Sequence, residues 1–325
     1  MRLLTFEYNG QSKLGAWVDN DEKIIDLHEE SKIQFAHDSE IFLSMQDLIE
    51  SGKKGLEQAK KMLKTPQTKL INTEEVKILL PLLPVQLRDF LCFEQHLINS
   101  FKSAKEIQIA QSENPQDARK ELDNSDLFDI PKVWYETPIY YNCSRLASCG
   151  TGEKIYWPKY SKIWDYELEW AAVIGKKGKD IKKKEAKDYI FGYTIFNDFS
   201  ARDEQLRVLG AKLGPGKGKD FNNSNVFGPC IVTADEFENP YNLKMTAQVN
   251  GELWSQGTTN SMHHTFEDII AYISQSESIY PGEVLGSGTV GTGCGLELLK
   301  FLKDGDKIQL TIEKIGTITN TVVKQ

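Results

Sequence analysis

Two glutamates in one predicted strand are the first residues in this sequence that indicate chemistry. Glu167 and Glu169 lie in residues 166–174, which the pattern predicts to be a β-strand. Alternate residues of a strand point to the same face, so these carboxylates project together, about 6.6 Å apart at ~3.3 Å per residue. Acids on a strand otherwise built for burial are costly unless they are paired or bind a metal. The spacing is equally compatible with an exposed Glu-x-Glu on an edge strand.

A third acid ends the next predicted strand. Residues 190–197 have β character, and Asp198 follows them, with Arg202 four residues later. Oxygen ligands without a nearby cysteine or histidine select hard cations. We therefore expect Mg²⁺ or Ca²⁺ to be the cofactor, with Mn²⁺ as a third candidate.

A second cluster of ionisable residues lies upstream. Asp89 and His96 are seven residues apart, which is two turns along one face if the segment is helical. That arrangement offers an acid and a base. A single histidine is more often satisfied within the core, so this pattern is weak by itself.

Two further motifs invite a functional interpretation that their context does not favour. Gly286, Gly288 and Gly291 match the dinucleotide fingerprint, but that motif needs a long helix and a βαβ context after it. His263 and His264 could be metal ligands, yet adjacent residues of a strand point apart. We expect them to be turn or surface residues.

The composition is that of a globular protein, with 40% hydrophobic and 26% charged residues among 325. Asp plus Glu number 47 against 39 for Lys plus Arg, a net charge of −8 that disfavours nucleic acid. No apolar run approaches the ~20 residues of a membrane span, and the first residues lack a signal-peptide core. These features predict a cytoplasmic protein without a membrane partner. An odd number of cysteines without C-x-x-C spacing predicts buried free thiols: Cys92, Cys143, Cys149, Cys230 and Cys294.

The predicted elements indicate an α+β fold that is mainly β. Residues 1–75 contain three short strands and a helix over 47–63, which predicts a small β-rich N-terminal domain. Residues 76–325 form a larger domain in which strands dominate beyond Pro131 and 266–276 is the clearest helix. The polar stretch 112–126 suits an exposed excursion or lid. A doubly wound parallel sheet is disfavoured, because helices are few.

Together these segments resemble the fumarylacetoacetate hydrolase family. Residues 167–169 followed by 192–203 are similar to its metal-binding core, and residues 218–235 are similar to the next block. Gly288-Thr289 with Glu297 resembles the last block, and residues 2–27 resemble the N-terminal domain. The resemblance implies a small β-barrel-like N-terminal domain, a larger mixed β-roll domain and a homodimer.

The resemblance also implies roles for individual residues. Four carboxylates match the ligands of the divalent cation: Asp89, Glu167, Glu169 and Asp198. His96 matches the general base, Glu297 the acid that orients it, and Lys219 a cation that stabilises the developing enolate. Four residues match groups that contact the substrate: Arg202, Gln205, Tyr141 and Thr289.

The chain departs from the family pattern around the pocket. Leu91 stands where a tyrosine is usual, and Glu94 where an arginine is usual. Asn222 and Asn223 replace small and hydroxyl residues after the lysine. The catalytic frame is kept while the pocket wall differs, which leaves the substrate open.

The resulting hypothesis is a metal-dependent hydrolase of aromatic amino acid catabolism. It would cleave a carbon–carbon bond in a β-diketo acid of the fumarylacetoacetate or acylpyruvate type, with His96 and Glu297 activating water. One alternative is a decarboxylase or hydratase-isomerase of the same family, acting on oxaloacetate-like or dienoic acids. The other is a non-catalytic metal-binding protein.

Overall fold

The computed structural model describes the backbone of residues 1–325 and the side chains of all of them except residues 36–38 and 111. The strands are β1 Arg2–Tyr8, β2 Gln11–Val18, β3 Lys23–Asp26, β4 Ile71–Asn72, β5 Lys77–Ile78, β6 Leu87–Phe90, β7 Tyr140–Cys143, β8 Ser148–Cys149, β9 Lys154–Trp157, β10 Trp164–Asp165, β11 Leu168–Ile174, β12 Gly178–Lys179, β13 Ile190–Asp198, β14 Ser200–Ala201, β15 Asn225–Thr233, β16 Lys244–Val249, β17 Glu252–Thr258, β18 Ser278–Ile279, β19 Val284–Gly286, β20 Lys307–Ile312 and β21 Gly316–Lys324. The helices are α1 Leu27–Phe35, α2 Met45–Glu50, α3 Gly52–Lys64, α4 Glu94–Gln111, α5 Pro115–Asp123, α6 Lys132–Glu136, α7 Lys183–Ala186, α8 Arg202–Leu209, α9 Phe266–Ile273 and α10 Gly295–Leu298.

One twelve-stranded sheet links the start of the chain to its centre. Its order is β4-β3-β2-β1-β15-β13-β11-β19-β6-β7, with β5 paired to β1 and β8 to β15. The pairs are antiparallel except for β15 with β8 and β19 with β6. A second sheet has the order β17-β16-β20-β21-β9. This confirms the predicted α+β, mainly β fold.

The N-terminal strands extend the main sheet. Leu3 of β1 pairs with Ile231 of β15, and the sheet order stays open at β4 and β7 over the described backbone. The implied β-barrel-like form is therefore wrong, because β1 uses its free edge to join the central strands. The division at residues 75 and 76 stays a prediction.

The middle of the main sheet is buried on both faces. All residues of β11 and β13 are buried, as expected for nearly continuous apolar runs in central strands. One face packs against the N-terminal helices through residues such as Phe42 and Leu48. The other face carries an aromatic cluster in which the rings of Trp170 and Tyr193 stack at 5.1 Å. An acid placed on these strands is consequently held away from water.

One helical prediction needs revision. The helix predicted over 47–63 is two helices, α2 and α3, because Gly52 has a φ of +60° and interrupts the helical path. The polar excursion contains α5, which is largely exposed and packs against α4. No helix among the residues described is long and apolar enough to cross a membrane.

Glu30 of α1 anchors the N-terminal segment. Its fully buried carboxylate accepts hydrogen bonds from the backbone N–H groups of Gln67 (2.9 Å) and Thr68 (2.8 Å), and from the Thr68 hydroxyl (2.7 Å). Burial alone would raise the pKa of Glu30, but these hydrogen bonds hold it below its ordinary value. A lowered folded-state pKa gives stability that is present above the unfolded-state pKa and lost as pH falls.

We therefore expect Glu30→Gln to lower the free energy of unfolding by about 1–3 kcal/mol at pH 7. The amide nitrogen of glutamine would face backbone donors, and the difference from wild type should shrink as the pH falls towards 4. Urea unfolding at several pH values measures both. Glu29→Gln on the same helix is the control, because Glu29 pairs with Lys32 on the surface. Equal losses for the two variants would contradict this role for Glu30.

Candidate active site

Adjacent strands of the main sheet bring four carboxylates together. Asp89 lies on β6, Glu169 on β11 and Asp198 at the end of β13, while Glu167 immediately precedes β11. Strand β19 lies between β6 and β11, and its Gly286 is paired with Asp89. A Cβ at position 286 would collide with the Asp89 carboxylate and lie 2.9 Å from the Phe196 ring. Glycine is thus required where β19 passes the acids.

The four carboxylates form a compact, buried cluster that fits a divalent cation. One oxygen from each lies within 4.8 Å of the others, and none of the four residues is more than 4% exposed. Glu169 Oε2 and Asp198 Oδ1 are buried without a hydrogen-bond partner among the described residues. Buried acceptors are rarely left unpaired, whereas a hard cation uses such oxygens as ligands.

The pKa values of the acids show the cost of this crowding. Burial, then the neighbouring Asp198, raises the pKa of Asp89 well above its ordinary value. Burial and the charge of Asp89 do the same to the pKa of Glu169. The pKa of Asp198 rises to about 6 through burial, although Lys219 opposes the rise. A positive ion between these groups would remove the repulsion.

Two buried cations already compensate part of the charge. Lys219 Nζ contacts Glu167 and donates to Asp198 Oδ2 at 2.6 Å, and Arg202 Nη2 donates to Glu167 Oε1 at 2.7 Å. Burial favours a higher pKa for Glu167, but Lys219 and Arg202 outweigh it and lower the pKa below its ordinary value. These two cations do not balance the four carboxylates, and a bound cation would offset the remaining negative charge.

His96 and Glu297 form a hydrogen-bonded pair beside the cluster. His96 Nδ1 lies 2.8 Å from Glu297 Oε1. Glu297 also accepts from Asn99 Nδ2 (2.8 Å), Thr292 N (2.7 Å) and Gly293 N (3.1 Å). These donors fix Glu297 as an acceptor, so Nδ1 donates to it, and in the neutral imidazole the lone pair lies on Nε2. Nε2 makes no hydrogen bond within the part of the chain that the structure describes.

Asp89 and His96 do not share a helical face. Asp89 belongs to β6, and His96 lies in the first turn of α4, so the helical interpretation of that segment is wrong for its first half. The parallel pairing of Asp89 with Gly286 holds residues 87–90 extended. The pair with Glu297 is joined to the cluster through Cys294, whose thiol contacts Glu297 and whose backbone bridges to Glu167.

The residues expected to contact substrate border the same cluster. The Tyr141 hydroxyl donates to Asp198 Oδ2 at 2.6 Å, and the Thr289 hydroxyl donates to Glu169 Oε1 at 3.3 Å. Gln205 accepts from Arg202 Nη1 at 2.8 Å. The structure thus brings every predicted site residue to one place, while their roles stay predictions.

Two of the residues that depart from the family pattern, Leu91 and Glu94, lie just before and at the start of α4. The Leu91 carbonyl accepts a hydrogen bond from Trp134 Nε1 (2.6 Å), and Glu94 accepts one from the Tyr135 hydroxyl (2.6 Å). Helix α6 therefore closes over the segment that carries His96.

Asp165 is the principal site residue that the sequence analysis missed. Its carboxylate is fully buried and pairs with Arg202 Nε at 2.7 Å. A signal was present, because Asp165, Glu167 and Glu169 alternate along the chain. Asn99 was also missed, and its position on α4, one turn after His96, was visible only once α4 was known.

The glycine motif, the adjacent histidines and the cysteines have structural roles in the part of the chain that the structure describes. Gly288 N donates to Asp89 Oδ1 at 3.3 Å, and the glycine-rich segment continues from β19 into a loop and the four-residue α10. His263 and His264 lie in a bend, where His263 is exposed as predicted, whereas His264 is buried with its Nε2 2.7 Å from the Trp134 carbonyl. All five cysteines are buried and free, as predicted.

The chain resembles a family model, curated proteins and solved structures. The family model for the fumarylacetoacetate (FAA) hydrolase C-terminal region matches residues 105–323. An oxaloacetate tautomerase of rat mitochondria (Rattus norvegicus) is 40% identical over 195 residues, 60% of each chain. A mitochondrial oxaloacetate tautomerase of Xenopus laevis is 30% identical over 326 residues, 99% of this chain and 90% of that one. The chain thus spans about 60% of the rat relative's length in that match.

Solved structures show the same fold. A fumarylacetoacetate hydrolase of Exiguobacterium antarcticum superposes with a TM-score of 0.74 at 24% identity, covering 100% of both chains. A maleylpyruvate hydrolase of Sphingobium, solved with manganese(II) and pyruvate, has a TM-score of 0.71 at 21% identity, covering 100% of this chain and 99% of that one. Relatives thus include hydrolases and tautomerases, and the family is enzymatic. The match over residues 105–323, added to the buried acidic cluster, places this chain in the fumarylacetoacetate hydrolase family.

Proposed function

We propose that this protein catalyses metal-dependent proton transfer on an enolisable 2-oxo acid such as oxaloacetate. The single observation that carries the proposal is a base with a free nitrogen, His96, held by Glu297 beside a buried cluster of four carboxylates. The names of the rat and Xenopus relatives support oxaloacetate and its keto–enol interconversion.

Asp89, Glu167, Glu169 and Asp198 are the residues that would hold the cation. When bound, a divalent cation would supply Lewis acidity that favours the enolate of a 2-oxo acid. Mg²⁺, Mn²⁺ and Ca²⁺ all suit an oxygen donor set. The two unpaired oxygens, on Glu169 and Asp198, support this assignment from the protein side.

The side chains around the cluster have separate roles in the proposed proton transfer. His96 Nε2 takes a proton from the carbon next to the 2-oxo group and delivers it to the 2-oxo oxygen of the enolate, which gives the enol; the reverse transfer gives the keto form. Glu297 holds the Nδ1 proton and stabilises the imidazolium that forms. Lys219 and Arg202 offset the negative charge that accumulates on the substrate oxygens.

Hydrolytic carbon–carbon cleavage of a β-diketo acid is the second candidate, and the same pair favours it. His96 Nε2 could take its proton from a water molecule, which would then attack the carbonyl carbon. The bond to the departing carbon breaks, and that fragment leaves as an enolate beside Lys219. A base of this kind serves both reactions, so the pair alone does not separate them.

A substrate panel with isotope readout separates the candidates. The purified protein with Mg²⁺, Mn²⁺ or Ca²⁺ is given oxaloacetate and several acylpyruvates in D₂O. Enol loss with deuterium at C3 and an intact carbon chain is expected for the tautomerase. Two carboxylic or ketonic fragments would establish the hydrolase, and CO₂ release faster than with the metal alone would establish a decarboxylase. The absence of turnover with every substrate and metal would overturn the proposal and favour a non-catalytic metal-binding role.

The homodimer and the cytoplasmic location stay predictions. The printed names of the rat and Xenopus relatives place those proteins in mitochondria.

A further inference from the structure

Asp165 joins the two halves of the candidate site. The side chain is 0% exposed and accepts four hydrogen bonds. Oδ1 accepts from Gly295 N (2.6 Å) and Tyr166 N (2.8 Å), and Oδ2 accepts from Leu296 N (2.9 Å) and Arg202 Nε (2.7 Å). One carboxylate thereby holds both the start of α10 and the guanidinium that contacts Glu167.

The backbone around Asp165 reinforces the connection. In β10, Asp165 pairs with Ser200 of β14, directly before Arg202. On the other side, Trp164 bridges to Leu302 and Glu167 bridges to Cys294. Residues 164–167 therefore lie between the segment that carries Arg202 and the segment that carries Glu297.

Gly295 allows the close approach. A Cβ at this position would lie 2.6 Å from Asp165 Oδ1 and would collide with the Lys300 carbonyl. The first residue of α10 can therefore be only a glycine if its N–H is to reach Asp165. Glu297 follows two residues later, so its position depends on this contact.

We propose that Asp165 is a positioning residue, which sets Arg202 against the carboxylate cluster and Glu297 against His96 at the same time. The inference rests on the proposed role of the His96–Glu297 pair. All four groups that surround the carboxylate are donors, so each needs an acceptor. Asp165→Asn keeps the shape of the side chain but must turn its NH₂ towards either the Oδ1 or the Oδ2 partners. Either orientation places a donor against donors.

Glu30→Gln provides a matched control. Glu30 is also a fully buried carboxylate that accepts from backbone N–H groups. Its partners lie in residues 34, 67 and 68, and none belongs to the site. Both variants should lose stability, and only Asp165→Asn should change the site.

The test combines kinetics with proton NMR of the metal-loaded protein. The Nδ1 proton of His96 should give a low-field resonance, identified by its absence in His96→Asn. We expect Asp165→Asn to shift or broaden this resonance and to lower kcat about 10–100-fold, the usual effect of losing a group that orients a site residue. Glu30→Gln should leave both unchanged. The double variant Asp165→Asn/Glu297→Gln should lose less than the product of the single losses, because Asp165 acts through Glu297.

The outcomes distinguish the two proposals. A resonance and kcat like those of wild type in Asp165→Asn would show a purely structural role and overturn the inference. Additive losses in the double variant would overturn the coupling to Glu297. Absence of the resonance in the wild type would instead contradict the His96–Glu297 pair and thus the proposed function. Should Asp165→Asn fail to fold, Gly295→Ala displaces α10 from Asp165 without changing a charge, and the same resonance shift is expected.

Discussion

Replacing His96 by alanine is expected to lower kcat by about 10²–10⁴-fold, the usual contribution of a general base. The variant should fold and bind the metal with unchanged affinity, because His96 is outside the four-carboxylate cluster. Its imidazole makes the Nδ1 contact to Glu297, and the free Nε2 is the atom that the proposed chemistry uses. Steady-state kinetics on the best substrate of the panel, with metal titration of the same preparation, measures both quantities.

A second histidine variant tests whether the loss of kcat is specific to His96. His28→Ala is the control, since His28 Nδ1 packs against the Ser39 carbonyl in the N-terminal segment, and its kcat should equal that of wild type. Glu297→Gln should lose less than His96→Ala, and the double variant should be no slower than His96→Ala alone, because Glu297 acts through the histidine. Full activity in His96→Ala would remove this residue from the mechanism.

Local patterns were sufficient to find most of the acids. Glu167 and Glu169 alternate along a strand, and Asp198 ends the neighbouring one, so i, i+2 spacing and a strand boundary located them. The α+β class followed from the strand-rich pattern in the same way. Each of these features depends on residues close together in the chain, which periodicity can read.

Contacts between distant segments could not be found in this way. Asp89 enters the cluster because β6 pairs with β19, almost 200 residues away. The same pairing decides that Asp89 is in a strand rather than on the helix with His96. The N-terminal strands join the main sheet through β1 and β15, a partnership set by which edges are free in the folded chain. The alternation with Glu167 and Glu169 indicated Asp165, but its partners, Arg202 and Gly295, come together only in the fold.

Glu169→Gln is expected to change stability and metal binding in opposite directions. In the metal-free protein the substitution should raise the free energy of unfolding at pH 8 by at least about 1 kcal/mol. This is less than the ~1.4 kcal/mol that corresponds to a pKa shift of one unit. Burial and the charge of Asp89 raise the pKa of Glu169, so its ionised form opposes folding. A raised carboxyl pKa gives stability that is present at low pH and lost as pH rises. The gain over wild type should therefore grow from pH 5 to pH 8.

Bound metal should make wild type more stable than Glu169→Gln. Wild type gains about 2.7 kcal/mol from a cation at 100 times its Kd, and the variant should gain much less because Glu169 supplies a ligand oxygen with no other partner. Thermal unfolding with EDTA and with Mg²⁺ or Mn²⁺ measures the crossover. Glu30→Gln should lose stability in both conditions and keep the full metal-dependent gain, because its carboxylate is held by residues 34, 67 and 68, none of which belongs to the cluster. Equal metal stabilisation in Glu169→Gln and wild type would exclude Glu169 as a ligand. A less stable metal-free variant would show instead that this carboxyl is satisfied without a cation, since only mutual repulsion among the four acids makes its removal favourable.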